Sequence, residues 1–172
     1  MDNIIDKLTN IKCNDMELFT LNNIKTIGKV VDVYDGDTCK IILLYNNELH
    51  KFVCRLTGID TPEMKPPLKN TNRDQEILSA YKCRNRLVQL VSNCDCPIEN
   101  TFGKKEFNTL IDTNTKIINI TCHEFDKYGR LLVSLYDIND IEFTQSFNKI
   151  LIDEKYAKSY SGGTKEKFDS NI

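Results

Sequence analysis

The stretch YDGDTCKIILLYNNELHKFVCRLTGIDTPE, residues 34–63, decides the fold. Asp35-Gly36 is a tight-turn signal, and Tyr45-Asn46-Asn47-Glu48 is a second one. Between them Thr38–Leu44 is a short apolar run. After them, His50–Thr57 alternates, with Phe52, Cys54 and Leu56 on one face and Lys51, Val53 and Arg55 on the other. The spacing predicts a hairpin, and the β-branched run Ile27–Tyr34 upstream extends it to a three-stranded antiparallel meander. Four acids sit at its ends: Asp35 and Asp37 at the first turn, Asp60 and Glu63 just past the third strand. A hairpin brings such ends together, and like charges at close range are costly unless a cation lies between them. The expectation is a hard divalent metal held by Asp37 and Asp60, with Glu63 and Arg55 facing a phosphate ester.

Downstream, Thr61-Pro62 and Pro66-Pro67 break regular structure, so residues 58–71 read as a loop. A helix follows, with Asn72 as N-cap and Gln75 three residues on. Its buried stripe reads Ile77, Ala80, Cys83/Arg84, Leu87 and Leu90/Val91, fading near Asn93. Residues 94–114 lack firm periodicity and read as a long loop or irregular insertion. Lys116–Cys122 and Leu131–Tyr136 read as two more strands joined through residues 126–130. Thr144–Lys158 reads as a second helix burying Phe147, Ile150, Leu151 and Ala157, ended by Ser161-Gly162-Gly163. The order β-β-β-α-β-β-α predicts an α+β fold: a five-stranded Greek-key barrel of oligonucleotide-binding (OB) type with helices against it. Residues 1–24 read as an N-terminal extension in which Ile4, Ile5, Leu8 and Ile11 have rough helical spacing.

The chain has 172 residues, 40% hydrophobic and 28% charged, enough for one folded domain with a real core. The formal net charge of −2 arises entirely in residues 1–24, where Asp2, Asp6, Asp15 and Glu17 face only Lys7 and Lys12. Beyond them Lys65, Lys69, Arg73, Lys82, Arg84 and Arg86 outnumber Asp74 and Glu76, a local basic patch compatible with a polyanion or with a solvated helix face. The seven cysteines have no regular spacing. Cys94-Asp-Cys96 is their one close pair, and no second pair or nearby His completes a zinc pattern. This argues against disulfides and for a reducing compartment. No signal-peptide pattern and no long apolar run is present, which points to an intracellular protein without membrane spans.

Four pieces, in order, carry a resemblance: the VYDGDT turn (33–38), FVCRLTGIDTPE (52–63), DKYGR (126–130) and SFNKILI…YAK (146–158). With these the chain resembles the staphylococcal-nuclease-like (thermonuclease) domain family, which implies a domain over residues 25–168. The resemblance implies a Ca²⁺-dependent nuclease, with Mg²⁺ or Mn²⁺ as other candidates, that hydrolyses phosphodiester bonds of DNA or RNA with little sequence preference. It implies Asp37, Asp60 and the main-chain carbonyl of Thr61 as metal ligands, and Glu63 as general base. Arg55 and Arg130 match the pair that grips the scissile phosphate, and Lys127 and Tyr128 match residues along the bound nucleotide. Asp35 matches a turn residue without a catalytic role. The chain departs from the family after Lys158: two tyrosines line the family's base pocket, whereas Tyr160 stands here alone and out of register.

The chemistry suits these residue types. Carboxylate and carbonyl oxygens are ligands for a hard cation. Arginine's planar fork donates two parallel hydrogen bonds to a phosphate and stays charged at any working pH. Each residue also has a plainer use. An Asp at an Asp-Gly turn caps the turn, Arg130 suits a strand edge, and Tyr128 suits a packed turn. A mid-strand Arg55 needs a partner. A competing reading is a non-catalytic barrel that binds nucleic acid or protein, and a weaker third is a zinc protein built on Cys94 and Cys96.

Overall fold

The computed structural model describes residues 2–163 and Phe168, the side chains of Asp2, Lys104 and Lys105 excepted. The apolar alternation of the first strands becomes β1 (Lys25–Val33), β2 (Thr38–Tyr45) and β3 (Glu48–Leu56). A short β4 (Ile59–Asp60) leads into helix α2 (Arg73–Val91), preceded in the chain by α1 (Asp2–Asn10). Then come α3 (Lys104–Asn114), β5 (Ile118–Phe125), β6 (Leu131–Tyr136), α4 (Phe147–Asp153) and a short β7 (Lys158–Ser159).

Five strands close into a barrel in the order β1-β2-β3-β6-β5. All neighbours are antiparallel except β3 and β6, whose parallel pairing matches Arg55 with Leu132. Val30, Ile41, Cys54, Leu56, Ile120, Cys122, Leu131 and Val133 fill the interior, each fully or almost fully buried. The inward positions therefore follow the period of two that the sequence shows. Asn148 of α4 fastens the parallel seam. Its side-chain amide donates to Thr57 O (2.8 Å) and Val133 O (3.1 Å), and its carbonyl accepts from the Leu135 N–H (3.2 Å).

Three features differ from expectation. The segment 94–114 is not wholly irregular: α3 occupies its second half and buries Phe107 and Ile111, one helical turn apart. The preceding loop is pinned by Asn85 of α2, whose amide reaches the carbonyls of Pro97, Ile98 and Asn100 at 3.2, 2.9 and 2.7 Å. The last helix is shorter than Thr144–Lys158. Ser146 caps its start by accepting from the Lys149 N–H, and Lys155, at φ +66°, turns the chain so that Lys158–Ser159 pair with Ile59–Asp60. Asn72 holds the N-cap position of α2 without capping through its side chain. The N-terminal extension, whose docking the sequence leaves open, is anchored, because Leu21 is fully buried and the Phe19 ring lies against Tyr45 and Phe125. Helix α1 itself leaves Ile4, Ile5 and Leu8 exposed. Residues 164–167, part of the ending read from sequence, lie outside the described residues; Lys158 Nζ stands 5.2 Å from the centre of the Phe168 ring. None of the described helices is long and apolar enough to cross a membrane.

Candidate active site

The β1–β2 turn is built so that its acids cannot wander. The Asp35 carboxylate accepts the N–H groups of Asp37 (3.1 Å) and Thr38 (2.7 Å), while Tyr34 N–H donates back to Thr38 O (2.9 Å). Asp35 is thus the turn's own acceptor, as an Asp before Gly often is. Burial raises its pKa above 3.8, although these hydrogen bonds oppose the shift. A Cβ on Gly36 would stand 2.1 Å from Cys83 Sγ, so helix α2 packs against the turn where only glycine fits.

Register then brings the rest together. Thr38 faces Arg55 across β2 and β3, and the Leu56 N–H donates to Asp37 O at 2.7 Å. Arg55 projects from the polar face of β3 and is held in a fork: Nη1 and Nη2 reach the two Asp37 oxygens at 3.0 and 2.7 Å. Nη2 also lies 3.4 Å from Asp60 Oδ1. Asp60 is set by the β4–β7 pairing, opposite Lys158. Asp37 and Asp60 are 2% and 4% exposed, so two carboxylates far apart in sequence share one guanidinium in a nearly dry place. The Thr38 hydroxyl adds a bond to Asp37 Oδ1 at 2.8 Å.

Asp35, Asp37, Thr38 and Arg55 line a cleft of about 250 Å³ together with Tyr34, Thr61, Glu63 and Arg130, and Asp60 is tied to it through Arg55. Thr61 is buried, whereas Glu63 is exposed at the rim, its N–H donating to Glu76 Oε1 (3.2 Å). Arg130 arrives from the β5–β6 turn. Gly129, at φ +78°, makes the turn, and Asp126 clasps Arg130 through its N–H (2.9 Å) and Nε (2.7 Å). Burial pushes the Asp126 carboxyl up, but those bonds, with that from Tyr128 N–H, outweigh it and hold the pKa below the ordinary value. Sequence reasoning missed Asp126 as the residue that orients Arg130. An acid four residues before an arginine was its signal.

A wider groove, about 910 Å³, continues from Arg55 and Arg130 along Lys127, Tyr128 and Tyr160. Tyr128 is 73% exposed, with the Lys127 ammonium 5.1 Å and the Arg130 guanidinium carbon 5.6 Å from its ring centre. Tyr160 reaches the groove because its N–H donates to Gly58 O (2.9 Å). The structure thus gathers Asp37, Asp60, Thr61, Glu63, Arg55 and Arg130 about one cleft, with Lys127 and Tyr128 in the adjoining groove. His123 stands elsewhere, its Nε2 3.0 Å from Ser134 Oγ across β5 and β6.

The donor set suits a hard cation. Asp37 and Asp60 offer carboxylates and Thr61 a carbonyl, while the neighbouring thiols of Cys39 and Cys83 are pushed well up, chiefly by burial and further by nearby charges that include Asp35 and Asp37. Such thiols are not thiolates, so soft-metal ligation is disfavoured. Burial likewise raises Cys94 and lifts Cys96 to about 11. All seven cysteines are free. Among the described residues no group of three or more His, Cys, Asp and Glu forms a metal cluster.

A search of the curated proteins matched none of them. The model of the staphylococcal nuclease homologue family matches residues 53–171, from the middle of β3 onward, which takes in Arg55, Asp60, Thr61, Glu63, Lys127, Tyr128 and Arg130 but stops short of Asp37. Asp37 joins them through strand pairing, and with the closed five-stranded barrel on the page the match has one meaning: the chain belongs to the staphylococcal nuclease homologue family.

Proposed function

We propose that this protein is a divalent-cation-dependent phosphodiesterase that hydrolyses DNA or RNA with little sequence preference. Family membership implies a nuclease-type or nucleic-acid-binding function, and the finer reading rests on one observation. Asp37 and Asp60, from opposite ends of a hairpin, meet at Arg55, and Asp37 and Arg55 line a cleft with Glu63 and Arg130. A calcium ion, or magnesium or manganese in its place, would take Asp37, Asp60 and the Thr61 carbonyl as ligands and supply charge neutralisation of the phosphate.

The chain's own residues do the rest. Arg130, whose Nε is held by Asp126, offers its terminal N–H groups to the phosphate oxygens, and Arg55 offers the N–H groups that its bonds to Asp37 and Asp60 leave, each oriented beforehand by an acid. Glu63, at the solvent rim, takes the proton of the attacking water as general base. Lys127 and Tyr128 bind the flanking nucleotide by charge and by stacking. A second reading, a binding module without catalysis, draws support from the engagement of both Asp37 oxygens by Arg55 and from the absence of a three-residue metal cluster among the described residues.

Incubation of purified protein with single- and double-stranded DNA and RNA separates the two. With calcium, magnesium or manganese, acid-soluble nucleotide should appear and a chelator should abolish it. Binding without release under every metal would overturn the enzymatic reading.

A further inference from the structure

Arg84 lies on the inward stripe of α2, 5% exposed, where a charged residue is out of place. Its Nε and Nη2 are buried and make no hydrogen bond, and among the described residues no acid lies within ion-pair distance. Its guanidinium carbon instead lies 3.9 Å from the centre of the Phe107 ring and 4.7 Å from that of Tyr81. Burial lowers its pKa from 12.5, partly opposed by Tyr81 and Cys96. Ring contacts recover part of the lost hydration. They leave the in-plane donors unused, and a buried donor without an acceptor is costly.

Arg84 lines a pocket of about 570 Å³, within the usual range for small ligands, with its Nε and Nη2 themselves closed to solvent. Tyr81, Phe102 and Phe107 give it an aromatic wall, and the exposed Lys65 stands at its mouth. Its acid, Asp32, is already matched by Lys40 at 2.7 Å. Two further walls, Tyr34 and Thr38, also belong to the Asp37 cleft. The part of the pocket that α3 and its preceding loop supply, Thr101, Phe102, Gly103, Phe107 and Asn108, comes from outside the resembling motifs. An anion would complete Arg84, an aromatic ring would complete the wall, and a polymer entering the acid cleft carries both.

We propose that this pocket is a second phosphate subsite, in which Arg84 holds a backbone phosphate flanking the one at Arg55 and Arg130 while the aromatic wall takes the adjoining base. This rests on the nuclease reading for the placement of the scissile phosphate. Phosphate esters are the shared chemistry, and a free mononucleotide is the other possible source.

The test reads binding of a labelled single-stranded DNA hexanucleotide in chelator, where no hydrolysis occurs. Arg84→Gln should weaken binding at least about tenfold, the scale of losing a charged hydrogen bond. Replacing the phosphates one at a time with uncharged methylphosphonate should reveal one position that costs the wild type a similar factor and costs Arg84→Gln nothing more. Lys65→Gln, at an exposed site, should weaken binding a few-fold. Equal binding by Arg84→Gln, or losses that add at every position, would overturn the subsite. Calorimetry with inorganic phosphate and a nucleoside 5′-monophosphate covers the other source: Arg84-dependent uptake of these alongside Arg84-independent strand binding would overturn the polymer assignment. Should Arg84→Gln not fold, Arg84→Lys keeps the charge without the fork and should still weaken binding. Arg84-dependent binding by a wild type that hydrolyses nothing under any metal would remove the nuclease reading and leave a phosphate-binding pocket. Hydrolysis with Arg84-independent binding would do the reverse.

Discussion

The acid cleft and the α2–α3 pocket share Tyr34 and Thr38 as walls, yet they treat their arginines in opposite ways. Arg55 is clasped by two buried carboxylates, whereas Arg84 lies between two aromatic rings with no acid beside it. The first arrangement fixes a guanidinium in place at the expense of its donors. The second keeps the donors available at the expense of desolvation. Strands build the first through register, and helices build the second through packing, so the two respond differently to substitution.

The largest expected effect belongs to Glu63→Gln. A lost general base should lower kcat by about 10²–10⁴-fold, while stability and strand affinity stay unchanged because the side chain is exposed. An unchanged rate would remove its assigned role. Arg55→Ala comes next: removing the guanidinium that Asp37 and Asp60 share should cost about 3–5 kcal/mol of stability in urea titration, along with the activity. A loss below about 1 kcal/mol would mean the acids do not depend on it. Arg130→Ala should slow hydrolysis by about 10²–10³-fold, yet its part-buried pair with Asp126 should contribute only about 1 kcal/mol to stability.

Arg84→Met sharpens the contrast most directly. Losing the ring contacts and losing the desolvated charge nearly cancel, so stability should move by no more than about 1 kcal/mol. A loss as large as that of Arg55→Ala would make Arg84 a structural clasp like its neighbour. The smallest effect concerns Asp35→Asn. The folded-state pKa of Asp35 is raised above 3.8, so ionising it disfavours folding, and the wild type loses stability as pH rises through that folded-state value. Asparagine can still accept the two turn N–H groups. The variant should therefore gain slightly on the wild type at neutral pH, with the gap closing below pH 3.8, as thermal melts across pH would record.

Much of the strand-built region was legible in the sequence. Alternation at residues 50–57 gave the inward and outward faces of β3, and a mid-strand Arg55 announced its need of partners. The helix-built region was harder to read. Helix α3 has one buried pair, Phe107 and Ile111, among Asn and Thr residues, and its N-cap, Gly103, makes no side-chain cap bond. Neither signal rises above a loop. The last helix reads longer in sequence than it is, because Tyr156 and Ala157 continue its apolar spacing, while the left-handed turn at Lys155 depends on β7 pairing with a distant strand. Arg84 was visible as a cation on an apolar stripe, but the vacancy of its hydrogen bonds follows only from tertiary packing.

The parallel seam between β3 and β6 bears on how the molecule acquires its chemistry. Arg55 sits on that seam, matched to a residue more than seventy positions later, while its hairpin partners are local. Closing so long a loop carries an entropic cost that must be met before the long-range contacts repay it, which places seam formation late in folding. A nascent chain with only its first three strands would hold Asp37 beside Arg55 but would lack Arg130 and the groove. Catalytic competence would then arrive in one step with ring closure, which makes turnover a more stringent gauge of complete folding than helix or strand content.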